Sequence, residues 1–237
     1  MPSRRHLLGQ MRVVLRGDDR EAALAALAAL AATPAKTRLG PLFSLLLDKE
    51  ALVRWRAVTA FGAAMAEIAA ARLEDARDVW RNLMWRVNEE SGNIAWGIPE
   101  CMGETLAVCP PLAREFHRIL LSYVQDLPGD CTFIDHAPLR RGAWWAIARL
   151  AEAAPELCAP ALPEIVAALG DCDPAARGLA CLAVARVRPD PSRTLLDALT
   201  ALAGDTAAFD RYDGWALATA SVADAAAQAL AACRSCM

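Results

Sequence analysis

The chain has 237 residues, a formal net charge of −3, 56% hydrophobic residues and 22% charged residues. That composition excludes a disordered tail, and the length excludes a small scaffold dependent on disulfides. The mild acidity argues against a protein that coats nucleic acid at large. There are 53 alanines and only two lysines, Lys36 and Lys49. Alanine is the strongest helix former, so the composition points to helices. Alanine and arginine excess also fits a GC-rich, bacterial genome, which makes part of that signal compositional.

Residues 1–19 are positively charged, but Arg12 and Arg16 break any apolar run long enough for a secretory leader. The stretch Ala22–Ala32 is too short and too weakly apolar to span a bilayer. The expectation is a soluble cytoplasmic protein with no membrane role and no cofactor. Cys101, Cys109, Cys131, Cys158, Cys172 and Cys181 are scattered and read as small hydrophobes in a reducing compartment. Cys233 and Cys236 form a lone CxxC, a weak candidate metal pair.

Along the chain a ten-residue template recurs: apolar, Arg, two variable positions, small, four further positions, then Gly or Ala. A degenerate copy lies in Asp19–Ala28. Clearer copies run Val53–Gly62, Ile94–Gly103, Leu139–Ala148, Ala176–Ala185 and Val222–Ala231, with starts 41, 45, 37 and 46 residues apart. Each carries an apolar stripe at positions one, five and nine, such as Val53, Ala57 and Phe61. One helix pair cannot bury such a stripe alone, so neighbouring pairs must stack. The small fifth and tenth positions let helices approach closely. Turns fall at Asp18-Asp19, Leu47–Glu50, Leu127–Asp130 and Gly170–Pro174. No window shows strand alternation bounded by hairpin turns. Residues 204–214 read as a loop before the last helix, with a frayed tail at 233–237.

A period near ~40 residues built from helix pairs resembles the HEAT-repeat (HEAT/armadillo-like) family. Asp48 before Val53-Arg54, and Asp171/Asp173 before Arg177, resemble that family's Asp…Val-Arg ladder, and Ser221–Leu230 resembles its second helix. The resemblance implies an all-α, right-handed α-solenoid of about six helix pairs in a single domain, 1–237. It carries no activity. Residues 81–100 also resemble an uncharacterised group of HEAT-repeat proteins from sulfate-reducing bacteria, likewise without a known activity.

The Ile94 copy departs most from the template. Ala95 replaces the arginine, Gly97 and Pro99 fall inside the helical pattern, and the polar run Asn88-Glu89-Glu90-Ser91-Gly92-Asn93 precedes it. One reading is an ordinary turn, with Ser91 or Asn93 as N-cap and Pro99 near a delayed helix start. The other is a binding loop of Asn88, Glu89, Glu90, Ser91 and Asn93 on a rigid scaffold.

If positions one, five and nine are buried, positions three, seven and eleven face the other way, onto the concave side of such a solenoid. They are Trp55 and Thr59; Trp96, Glu100 and Glu104; Arg141, Trp145 and Arg149; Gly178, Leu182 and Arg186; Asp224 and Gln228. Either the Glu100 and Glu104 carboxylates pair with Arg141 and Arg149, or Trp55, Trp96, Trp145 and their charged neighbours grip a partner.

Signals for chemistry are sparse. Glu100 and Glu104 share a helix face, and with Glu89 or Glu90 form a candidate metal or acid–base cluster, without a matching histidine. His117 and His136 with Cys101, Cys109 and Cys131 have irregular zinc spacings. His136 reads instead as a cap for the helix near Pro138. No nucleophile elbow or phosphate-binding glycine pattern occurs. Arg140, Arg141, Arg149, Trp144 and Trp145 faintly resemble the basic, aromatic groove of HEAT-like DNA alkylation glycosylases, which the net charge opposes. Bilin lyases and His-Glu hydroxylases share the fold class, and no His-Glu dipeptide occurs here. The leading reading is a non-catalytic scaffold holding a protein partner on its Trp/Arg/Glu-lined concave face. An enzyme or metal-handling protein centred on Asn88–Glu104 is the alternative. Nucleic-acid binding through Arg140–Arg149 is third.

Overall fold

Local capping chemistry sets the helix starts. The computed structural model describes residues 3–30, 34–88, 95–129 and 131–234. Its helices are α1 (Arg4–Val14), α2 (Arg20–Ala29), α3 (Ala35–Leu45), α4 (Ala51–Ala71), α5 (Leu73–Val87), α6 (Ile98–Val108), α7 (Pro110–Ser122), α8 (Ala137–Ala153), α9 (Pro155–Cys158), α10 (Leu162–Ala168), α11 (Pro174–Val187), α12 (Arg193–Ala201) and α13 (Val222–Arg234). Ser3, Asp19, Asp173 and Ser192 accept first-turn backbone N–H groups with their side chains, satisfying donors a helix leaves open. His136 Nδ1 does the same for Leu139 N–H, as expected from the sequence.

The template arginine at position two has a repeated structural task. Arg54 Nη1 donates to the carbonyls of Asp48 and Lys49, six and five residues back, at 2.7 and 3.3 Å. Arg140 does so to Ile134 and Asp135, and Arg177 to Asp171 and Cys172. Each arginine thereby closes the turn before its own helix. A ladder of acids complements them. Asp48 takes a bidentate pair of bonds from Arg12 at 2.5 and 2.9 Å, which holds its pKa down at about 2. Asp173 pairs with Arg141, and Asp205 with Arg177.

The chain packs as two units, residues 1–112 with 212–217, and residues 113–211 with 218–237. In the first, α3 packs on α1 and α4, and α4 on α5 and α6. In the second, α8 packs on α11, and α11 on α13. Copies of the template therefore stack helix upon helix within each unit. Positions one, five and nine form the contacts: Val53, Ala57 and Phe61 in α4, Leu139, Ala143 and Ile147 in α8, and Ala176, Ala180 and Val184 in α11 are all buried. Each fully buried large apolar side chain contributes about 1.5–3 kcal/mol. The chain is an all-α solenoid, and among the described residues no helix is long and apolar enough to cross a membrane.

The structure corrects the sequence reading at 204–221. Residues Ala208–Tyr212 (β1) and Leu217–Ser221 (β2) pair as a two-stranded hairpin, where a loop and no strand were expected. Asp213 makes its turn, accepting the Trp215 and Ala216 N–H groups at 2.9 and 2.7 Å, while Gly214 adopts φ +105°. On β1 only Phe209 and Tyr212 are buried, three residues apart and so on opposite faces, and the Leu-Ala-Thr-Ala-Ser of β2 has too little polar contrast to alternate visibly.

The hairpin explains a second correction. Template positions three and seven are not uniformly open: Thr59, Trp145, Gly178 and Leu182 are buried, while Trp96, Arg141, Asp224 and Gln228 are exposed. In the second unit Gly178, at position three of α11, lies under Phe209, and a Cβ there would sit 2.3 Å from the ring. Gly178→Ala is therefore expected to lower stability by about 1–3 kcal/mol through overpacking. A fall in the urea midpoint at unchanged m would show it; an unchanged midpoint would mean the Phe209 ring moves aside at no cost.

Candidate functional site

Within the first unit, the turn after α3, the start of α4 and the start of α6 enclose an open cleft of about 430 Å³. Its walls include Leu46, Leu47, Arg54, Trp55, Val58, Trp96 and Glu100. The local sequence builds it by an abrupt helix start. Gly97, at φ +76°, is the N-cap of α6, and Pro99 occupies its first turn. The delayed helix start at Pro99 forms, with Gly97 as N-cap in place of the expected Ser91 or Asn93; the binding-loop residues Glu89, Glu90, Ser91 and Asn93 lie outside the described residues. Only glycine suits position 97: the backbone is left-handed, and a Cβ would lie 3.1 Å from Leu46 Cβ. That bend leaves Trp96 on the rim, 41% exposed, with Leu47 beside it, also exposed.

Trp55 stands on α4, partly covered. Its ring stacks on Tyr212 at 5.0 Å between centroids and 22° between planes. The Tyr212 hydroxyl meets Thr59 Oγ1 at 2.7 Å, and Thr59 in turn donates to the Gly214 carbonyl at 2.9 Å. Beneath them Arg56 is almost fully buried. It donates to the carbonyls of Trp215, Leu15 and Gly17, with its guanidinium 4.6 Å from the Trp215 ring centre. The hairpin tip, residues 212–217, is therefore the support behind Trp55.

Glu100 stands in the first turn of α6 with its carboxyl largely covered. The Oε2 atom is buried and has no hydrogen-bond partner among the described residues. Desolvation pushes its pKa up to about 7, against a smaller opposing effect of its own backbone N–H. Neighbouring charges are committed elsewhere: Asp48 to Arg12, Glu50 to Arg16, and Arg54 to the turn carbonyls. The adjacent Cys101 is buried, and burial together with Glu100 and Glu104 drives its thiol pKa well up, so it is a packing residue and a poor nucleophile. Burial likewise raises Cys158 and Cys181 to about 12.

The other residues singled out from the sequence fall in different places. Glu104 and Trp145 are interior, 1% and 5% exposed, and cannot supply an open ridge. Glu104 lies against Gly62, where a Cβ would meet its Cγ at 2.5 Å, so Glu100 and Glu104 do not act together as a carboxylate pair facing solvent. Arg141 pairs with Asp173 at 2.5 Å, and Arg149 lies 3.9 Å from Glu152. Trp144 is also buried, and Arg140 lies over the half-buried Phe133 ring. Asn88 is the exposed C-cap of α5. Glu89, Glu90, Ser91, Asn93 and Cys236 lie outside the described residues. Cys233 is buried on α13, and among the described residues no group of three or more His, Cys, Asp or Glu is placed to hold a metal. Sequence reasoning marked Tyr212 within the 204–214 stretch as an aromatic that either closes one end of the groove or merely connects, and missed Arg56 and Trp215 as supports of the site; the run Tyr212-Asp213-Gly214-Trp215, a turn flanked by aromatics, was the available signal.

Residues 137–187, α8 through α11, match the family model of the HEAT-like repeat. No curated protein matches the sequence. Among solved structures, a crystal structure of an engineered protein is 17% identical, covers 96% of each chain and has a TM-score of 0.51. A computationally designed armadillo repeat protein for modular peptide recognition is 22% identical over 95% of this chain and 99% of its own, with a TM-score of 0.49. A designed armadillo repeat protein in complex with the peptide (KR)4 is 19% identical over the same shares, with a TM-score of 0.42. The repeat match and the engineered protein agree with the stacking of template copies seen in each unit.

Proposed function

We propose that the chain is a non-catalytic repeat scaffold that binds a protein partner, and that the cleft of Trp55, Trp96 and Glu100 is its anchor point. One observation carries this reading. An open cleft brings an exposed tryptophan, a second tryptophan stacked on Tyr212, and a carboxyl oxygen without a partner among the described residues into one place. Tryptophan is enriched among residues that dominate binding energy, and rigid backing lowers the entropy lost on docking. The cleft replaces the Trp/Arg/Glu ridge expected from the template, whose members Glu104 and Trp145 are interior. The setting in this reading is the cytoplasm, where buried thiols such as Cys101 and Cys181 stay reduced.

The test compares partner capture from the native organism by the wild-type chain and by Trp96→Ala, followed by affinity measurement with the purified partner. Loss of at least about tenfold in affinity at unchanged fold is expected, the cost of removing an anchoring aromatic. Equal affinity would remove the cleft from the interface. Turnover of a small molecule with no stable partner would overturn the scaffold.

A second reading has one observation in its favour. A carboxyl titrating near neutrality in a cleft is the usual condition of an acid–base catalyst. No nucleophile or second free base faces Glu100 among the described cleft residues, which ranks this reading below the first. Elemental analysis of the purified chain separates the metal-handling form of it: a stoichiometric metal would move the assignment to that class.

A further inference from the structure

The walls of the cleft share one electrostatic preference. The faces of indole rings are electron-rich and attract cations within about 6 Å. Among the described residues no donor reaches the covered Oε2 of Glu100, so the carboxyl that borders the cleft carries no counter-charge and would repel an anion there. The fixed cations nearby do not answer it. Arg54 is spent on the Asp48 and Lys49 carbonyls, Arg12 on Asp48 and Arg16 on Glu50. On α6 itself, burial keeps the Cys101 thiol neutral. Glu100 also stands in the first turn of α6, where the helix dipole favours its ionised form once a counter-charge arrives.

We propose that the cleft takes one cationic side-chain head group, the guanidinium of an arginine or the ammonium of a lysine, presented by the partner between Trp55, Trp96 and Glu100. The proposal rests on the scaffold reading and names what that scaffold grips. Trp96 and Trp55 contact the cation through their rings, and the carboxylate of Glu100 supplies the counter-charge. Because Glu100 titrates near pH 7 in the empty cleft, the arriving cation displaces its proton. Affinity therefore rises with pH, about tenfold between pH 6 and pH 8, and levels off above that.

The experiment is a two-dimensional NMR titration of the full chain with N-acetyl-arginine methylamide, N-acetyl-lysine methylamide and the neutral isostere N-acetyl-citrulline methylamide. Saturable shifts of the Trp55 and Trp96 indole N–H signals are expected with both cations, with citrulline at least tenfold weaker. Glu100→Gln should weaken cation binding at least tenfold and remove the pH slope while the rest of the spectrum is kept. Trp96→Ala, a rim substitution, should weaken it without altering the fold. Citrulline binding as well as arginine, an affinity independent of pH, or no saturable shift each overturns the proposal. A partner that depends on Trp96 while the probes show no preference for charge would leave the scaffold standing and remove the cation. Cation binding without any partner dependent on Trp96 would do the reverse.

Discussion

Replacing Arg56 by methionine is expected to cost about 3–5 kcal/mol of stability, a large share of what holds a typical domain folded. Arg56 is 3% exposed, and its nearest carboxylate, on Asp18, is fully exposed and 3.5 Å away. The charge is therefore balanced chiefly by the three carbonyl oxygens of Leu15, Gly17 and Trp215 and by the Trp215 ring. Methionine fills similar space but leaves those buried acceptors short of donors, and each such loss is worth about 1–3 kcal/mol. Arg56→Lys should rescue little, because one ammonium cannot reproduce the planar fork that spans residues 15, 17 and 215. The urea midpoint measures the cost, and amide exchange at the hairpin tip should accelerate first. A loss below about 1 kcal/mol would mean that the carbonyls find water instead.

Glu100→Gln is expected to stabilise the chain at pH 8 by about 2–3 kcal/mol and to leave it nearly unchanged at pH 4.5. The sign follows from linkage. Burial raises the Glu100 pKa in the folded chain to about 7, above its ordinary value of 4.5, so the folded state holds the proton more tightly than the unfolded one. The stability this confers is complete below pH 4.5, declines as pH rises through 7, and is gone above it. Glutamine stays neutral and suffers no such decline. Asp48, Glu50, Glu74 and Asp205, whose pKa values are lowered by arginine and backbone donors, act in the opposite direction at acid pH. They are common to both proteins and cancel in the difference. Denaturant melts at pH 4.5, 6 and 8 decide it; a constant difference across pH would place the Glu100 carboxyl in water. The variant also links stability to function, since the substitution that stabilises the fold is the one expected to weaken cation binding.

Stacking, core and the recurring arginines were legible in the residues. Val53, Ala57 and Phe61, and their counterparts in α8 and α11, are interior because helical geometry alone puts i, i+4 and i+8 on one stripe. Arg54 and Arg177 recur beside aspartates because each closes a local turn, an interaction within six residues. Half of the cleft was legible too: Gly97 and Pro99 stood out as departures from the repeat, and Trp55, Trp96 and Glu100 fell at its positions three and seven.

The opposite faces of the helices were not legible. Periodicity tells which stripe seeks cover and says nothing about what reaches the other stripe from far along the chain. Thr59 and Trp55 look solvent-facing until Tyr212, more than 150 residues later, lies against them. Arg56 sits at a template position with no pattern, and its partners at residues 15, 17 and 215 are equally remote. Sequence by itself thus determined the repeat, its buried stripe and the recurrence of its arginines after aspartates, because those depend on neighbours a few residues away; that the arginines close turns came from the structure. Only tertiary structure decided that a hairpin lies against Trp55, Thr59 and Gly178, that Glu104 and Trp145 are interior, and that Glu100 has an oxygen without a partner among the described residues. Those outcomes depend on contacts between residues distant in the chain, and burial is what converts an ordinary carboxyl into one that titrates near neutrality.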